Sequence, residues 1–136
     1  MTDFFDALET RDPQRREADL MAALPRLVAH AQARSAAFAD ILRGVDAAGI
    51  TSRAALARLP VTRKHELFER QKAQRASDVF GGFATTVRGP QMRRIYASPG
   101  PIYEPEGPRA DYWRAARAMF AAGFRAGDLA HNAFSY

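Results

Sequence analysis

The chain has 136 residues, of which 47% are apolar or aromatic and 26% charged, with a formal net charge of +5. These values fit one globular domain at most and exclude a disordered polyelectrolyte. The absence of cysteine excludes disulfides, thiolate metal sites and thiol nucleophiles.

No apolar run reaches the roughly 20 residues that a membrane span requires. The opening Met1-Thr2-Asp3-Phe4-Phe5-Asp6 is acidic where a secretory signal would be basic. A cytoplasmic location without membrane attachment is expected. His30, His65 and His131 stand far apart without ligand spacing, which argues against a metal site. The cations run from Arg11 to Arg125, interleaved with acids, and only Lys64 and Lys72 are not arginine. No helix concentrates them, so nucleic acid is not an expected partner.

Residues 1–16 form a polar lead-in, with Asp12 as cap and Pro13 at a first helical position. Leu20, Leu24, Leu27, Val28 and Ala31 then recur at helical spacing. Pro25 interrupts them and predicts a break near Leu24, with a second helix from Pro25 to about Arg34. Ser35 can cap a helix over 36–43 that carries Phe38, Ile41 and Leu42 on one face. Thr51 or Ser52 can cap another from Arg53 to Leu59, ended by Pro60. In Leu59-Pro60-Val61-Thr62-Arg63-Lys64, Thr62 is a cap candidate, and Lys64 and His65 read as a solvated first turn. Residues 79–87, with Gly81-Gly82 at their centre, read as irregular or as a short strand.

Met92 to Ala97 reads as a strand, since Ile95 and Tyr96 are good β formers. Ser98-Pro99-Gly100-Pro101 follows as a small-residue loop, and Arg109 to Ala122 reads as a helix ended by Gly123. Leu129 to Tyr136 reads as a further strand. Strand, small-residue loop, helix is an arrangement that can hold an anion on backbone N–H groups. The complete Gly-x-x-x-x-Gly-Lys-Ser/Thr and Gly-x-Gly-x-x-Gly patterns are absent, and an ordinary turn fits the same residues. His131 and Ser135 do not form a dyad, because four residues along a strand span about 13 Å. The fold expected is α/β: a helical segment over 1–92, then a strand–loop–helix–strand unit over 93–136 that begins an α/β nucleotide-binding subdomain.

Taken in order, the Leu59–Lys64 turn, the strand with its Ser-Pro-Gly loop, the Trp113 helix, Ala122-Gly123-Phe124-Arg125-Ala126-Gly127-Asp128 and His131-Asn132-Ala133-Phe134-Ser135-Tyr136 resemble the N-terminal part of phenylacetate–CoA ligase-like enzymes. These belong to the adenylate-forming acyl/aryl-CoA synthetase superfamily. The resemblance implies an AMP-forming ligase: a carboxylic acid and ATP with Mg2+ give an acyl-adenylate, and CoA then displaces AMP. The aryl or acyl acid is the implied substrate. The family's phosphate loop is Ser/Thr-Ser-Gly-Thr-Thr-Gly-Lys, whose donors meet charge developing on the phosphates.

The matching loop here is Ala97-Ser98-Pro99-Gly100-Pro101-Ile102-Tyr103. Ser98 and Gly100 are the implied cofactor-binding positions, and Tyr136 the implied substrate-binding one. Both Thr and the Lys of the family loop are missing, and Pro99 and Pro101 remove backbone donors. No catalytic residue carries over, since neither Lys64 nor Lys72 matches the family's adenylation lysine. The expectation is therefore an N-terminal fragment, inactive without the rest of the ligase chain. The alternative is a non-catalytic ligand- or partner-binding protein derived from the same family.

Overall fold

A computed structural model describes residues 3–133. They form five α-helices, one 3-10 turn and one two-stranded antiparallel sheet, a helix-rich mixed α/β architecture. The chain divides into two compact units, Pro13–Pro108 and Met1–Asp12 with Arg109–Tyr136. Residues 93–108, assigned above to the second segment, cluster with the helices of 13–92.

In the larger unit, α1 spans Pro13–Arg34 and begins at the expected proline. It runs unbroken through Pro25, so the predicted break and second helix do not form. An interior proline costs a helix about 3 kcal/mol. Here Leu24, Val28 and Ala31, on both sides of Pro25, pack into one core cluster with Leu42, Ile50 and Ala55, which holds the two halves in line. Leu20 and Leu27 are not part of that face; they remain 48% and 62% exposed. α2 (Ala36–Ile41) is capped by Ser35, whose Oγ accepts the Phe38 N–H at 3.2 Å. α3 (Arg53–Leu56) is capped by Ser52 rather than Thr51, with Oγ accepting Ala55 N–H at 3.1 Å. Both caps satisfy N–H groups that have no partner within the helix.

α4 covers Lys64–Gln74. Its N-cap is Arg63, one residue beyond the expected Thr62, and this puts Glu66 at the third helical position. There the Glu66 carboxylate accepts the Arg63 N–H at 3.0 Å. Residues 79–87 form turns and irregular chain, with no strand. Asp78 shapes this segment, its two carboxylate oxygens accepting Phe80 N–H at 3.0 Å and Gly82 N–H at 2.6 Å.

β1 (Arg94–Ala97) pairs antiparallel with β2 (Tyr103–Glu106), placing Arg94 opposite Glu106 and Ala97 opposite Tyr103. The loop expected to lead from strand to helix instead closes a hairpin. Pro105 is tolerated because β2 is an edge strand. Tyr103 turns its backbone N–H and C=O outward, and Pro105, two residues on, takes the same outward register where no ladder bond is lost. Glu106 is buried and locks the pairing, accepting Arg94 Nη1 at 3.1 Å and the Tyr96 hydroxyl at 2.9 Å.

In the smaller unit, α5 covers only Ala116–Ala121, not the expected 109–122. Asp111 and Arg114 adopt positive φ values of 49° and 56°, which a continuous helix does not admit. The C-terminus follows expectation. Gly123 (φ 100°) donates to the Phe120 carbonyl and Phe124 to the Met119 carbonyl, both at 3.0 Å, forming a Schellman cap. Residues 129–133 form no strand, and Phe134 to Tyr136 lie outside the described residues. Among the described residues, no helix is long and apolar enough to cross a membrane.

Candidate functional site

The hairpin loop is stiff and largely self-satisfied. Ser98 N–H donates to the Ile102 carbonyl at 3.0 Å, and Ile102 N–H donates back to Ser98 Oγ at 3.4 Å. Pro99 and Pro101 have no N–H to offer. Gly100 sits at φ 99°, a conformation that a residue with a Cβ resists, with open space around it. Two donors remain for an outside anion: the Gly100 N–H, and the Ser98 hydroxyl proton, which is free to point outward while Oγ accepts from Ile102.

Two buried groups set this loop in place. The carboxamide of Gln71, on α4, accepts the Tyr103 N–H at 2.9 Å and donates to the Tyr103 carbonyl at 2.9 Å, so one side chain imitates a neighbouring strand at the outer edge of β2. Gly81 passes against the same helix. A Cβ at Gly81 would stand 2.9 Å from the backbone nitrogen of Gln71, so only glycine fits. Arg70 completes the junction, its Nε donating to the Gly81 carbonyl at 2.9 Å and its Nη2 to Asp40 at 2.8 Å. Asp40 is held below the usual carboxylate range, first by Arg70 and then by Arg43.

The hairpin tip thereby comes to lie across from the turn that opens α4. Thr62, Arg63, Lys64 and His65 share an open cavity of about 620 Å³ with Pro99, Gly100 and Ile102. A second hollow of about 440 Å³ adjoins it, with Thr62, Arg63, Lys64 and Ile102 common to both, and with Ser98 and Glu104 also lining it. Phe38, Leu67 and Phe83 supply its apolar wall, Phe38 and Phe83 meeting edge to face at 5.5 Å. Arg63, Lys64 and His65 are exposed, as expected of a first turn, and they line the cavity that the loop also lines.

Of the site residues read from the sequence, Ser98 and Gly100 thus lie on this pair of cavities, and Tyr136 lies outside the described residues. Gln71 was missed, because a glutamine among the polar residues of α4 carries no local sign of a bond formed 32 residues away. The joining of the two motifs was also missed. Their order along the chain was legible, but their apposition was not.

The donor set fits a phosphate group modestly: one hydroxyl, one backbone N–H and the Arg63 and Lys64 cations. Among the described residues no group of three or more His, Asp or Glu is arranged to hold a metal. The chain matches no family model, no curated protein and no solved structure.

Proposed function

We propose that this chain carries the phosphate-contacting edge of an AMP-forming acyl- or aryl-CoA ligase of the phenylacetate–CoA ligase type, as an N-terminal part that does not turn over alone. One observation carries the reading. The two motifs with the family resemblance, the Leu59–Lys64 turn and the Ser98–Gly100 loop, line the same cavity although the chain separates them by more than 30 residues.

In this reading Ser98 and Gly100 orient a phosphate through the two donors the loop keeps. Arg63 and Lys64 supply the positive charge that the family's loop lysine would supply. ATP with Mg2+ provides the activated phosphorus, and the remaining groups of the site, including those for the acid and CoA, belong to the rest of the ligase chain. A second reading, a non-catalytic nucleotide- or ligand-binding protein, is favoured by the loop's two prolines and by the turning of Ser98 toward Ile102.

Calorimetric titration with ATP and Mg2+ tests the shared premise. The R63Q/K64Q variant is expected to bind about tenfold more weakly than the parent chain, equivalent to about 1.4 kcal/mol. ATP–pyrophosphate exchange with aryl acids, assayed on the product of the whole open reading frame that encodes this chain, then separates the two readings. Exchange supports the ligase. ATP binding without exchange supports the binding protein. Absence of ATP binding by that product as well as by this chain overturns the ligase reading and a nucleotide as the ligand of the second.

A further inference from the structure

The two outer edges of the hairpin are finished differently. That of β2 is closed: Gln71 takes up the backbone N–H and C=O of Tyr103, and Pro105 has no N–H to present. That of β1 is open. All of its residues are exposed, Ile95 and Tyr96 by 46% and 41%. In an antiparallel pair, residues that face each other turn their backbone groups either both into the ladder or both away from it. Ala97 faces Tyr103 and Ile95 faces Pro105, so Ala97 and Ile95 turn their N–H and C=O groups outward. The alternation continues at Ser98, whose N–H turns inward to the Ile102 carbonyl at 3.0 Å. Among the described residues none bonds to the outward groups of Ile95 or Ala97.

This open edge is short, and both of its ends are fixed. Beyond Ala97 the next residue in the outward register is Pro99, which has no N–H. Before Ile95 it would be Arg93, but the Arg93 N–H is turned inward, to the Glu106 carbonyl at 2.9 Å. A longer strand laid along β1 therefore finds donors at Ile95 and Ala97 alone. The edge is also nearly neutral. Arg94 is its single charged residue, and Glu106 holds that guanidinium at 3.1 Å. A charged peptide has no complement there. What fits is another short, neutral edge with the same donors and acceptors.

We infer that β1 is a self-association edge, along which two copies of this chain join antiparallel about a twofold axis at Tyr96, making one four-stranded sheet. Rotation about that axis sets Ile95 opposite Ala97 of the second copy, and Ala97 opposite its Ile95. Each facing pair exchanges N–H···O bonds in both directions, and every outward group of the edge is used. On one face Ile95 lies beside Ala97 of the second copy. On the other the two Tyr96 residues are neighbours, an aromatic pair of the kind that supports strand pairing. Arg94 falls opposite Ser98, so like charges do not face each other. The two Arg93 residues stand at opposite ends of the pairing, about 20 Å apart and beyond the screening length at physiological salt. A lone two-stranded sheet is marginal in water, and added strands stabilise it. The inference stands apart from the ligase reading.

An edge this small gives a weak dimer, so the intact chain is followed by sedimentation equilibrium from about 10 μM to about 1 mM, where the mean mass should rise toward twice that of the single chain. Ala97→Pro removes one outward N–H and leaves the hairpin ladder intact, as Pro105 does on the other edge. It should weaken association about tenfold or more with an unchanged circular dichroism spectrum. Cross-linking reads the register without proline. The chain has no cysteine, so Ile95→Cys and Ala97→Cys each introduce a single thiol. Mixed and mildly oxidised, the two variants should form the hetero-disulfide in preference to either homodimer. Facing Cα atoms stand about 5.5 Å apart, within disulfide reach, whereas like positions lie diagonally at about 7–8 Å. A chain that stays monomeric throughout the range overturns the inference, as does a dimer indifferent to Ala97→Pro or an equal yield of all three disulfides. Slow hydrogen exchange at Ile95 and Ala97 in a monomeric chain would put another segment of the same chain on the edge and overturn it as well.

Discussion

The larger and the smaller unit are held by different kinds of interaction. Every buried side chain among the described residues lies between Pro13 and Pro108. Described residues 3–12 and 109–133 bury none; they are tied by the Arg117–Asp6 pair and an edge-to-face contact between Phe5 and Phe120 at 5.9 Å. In the larger unit the ties are desolvated hydrogen bonds across long stretches of chain. Ser35, nearly fully buried, donates its hydroxyl to the Gly82 carbonyl at 2.7 Å, 47 residues away. A buried polar group that loses its partner costs its full desolvation, whereas an exposed ion pair is screened and replaced by water. The larger unit should therefore respond sharply to single changes, and the smaller one gently.

The strongest test of that difference is a pair of glycines. Gly81→Ala forces a Cβ to 2.9 Å from the Gln71 nitrogen at φ 61° and should cost about 3 kcal/mol of stability. Gly123→Ala, at φ 100° in open space, should cost only about 1 kcal/mol. Urea denaturation followed by circular dichroism measures both, and equal costs would erase the contrast. Next comes Gln71→Ala. It strips both backbone partners from Tyr103 and should cost about 2 kcal/mol. It should also loosen the hairpin tip, so that hydrogen exchange at Ile102 and Tyr103 accelerates ahead of exchange in α1.

The smallest effect is that of acid. Arg117 holds Asp6 below the ordinary carboxylate range, as Arg70 and Arg43 hold Asp40. In both cases the folded carboxylate binds protons more weakly than the unfolded one. The stability these pairs contribute is present above about pH 4 and is lost as pH falls through the depressed folded values. A thermal melt series between pH 6 and pH 3 should show Tm falling only at the acid end, with 0.5 M salt flattening the fall, because the pairs are exposed. A Tm that rises on acidification would contradict the assignment.

The sequence by itself determined the features decided among neighbours a few residues apart. Pro13 starts α1, Ser35 and Ser52 cap the next two helices, and Gly123 ends α5, because each is one residue satisfying or releasing backbone groups within one turn. It also marked Ser98 and Gly100 as a loop. Only the tertiary structure decided that α1 passes through Pro25, that Leu20 and Leu27 stay outside the core, that residues 103–106 form a strand and that Arg109 to Ala115 do not form a helix. It alone decided that Gln71 grips Tyr103 and that Arg63 and Lys64 face the hairpin tip. The physical reason is the same throughout. Local propensities are worth fractions of a kcal/mol per residue, whereas the burial of Val28 against Leu42 and Ile50, or the pairing of a backbone with a buried carboxamide, is worth more and depends on segments that the chain alone does not bring together.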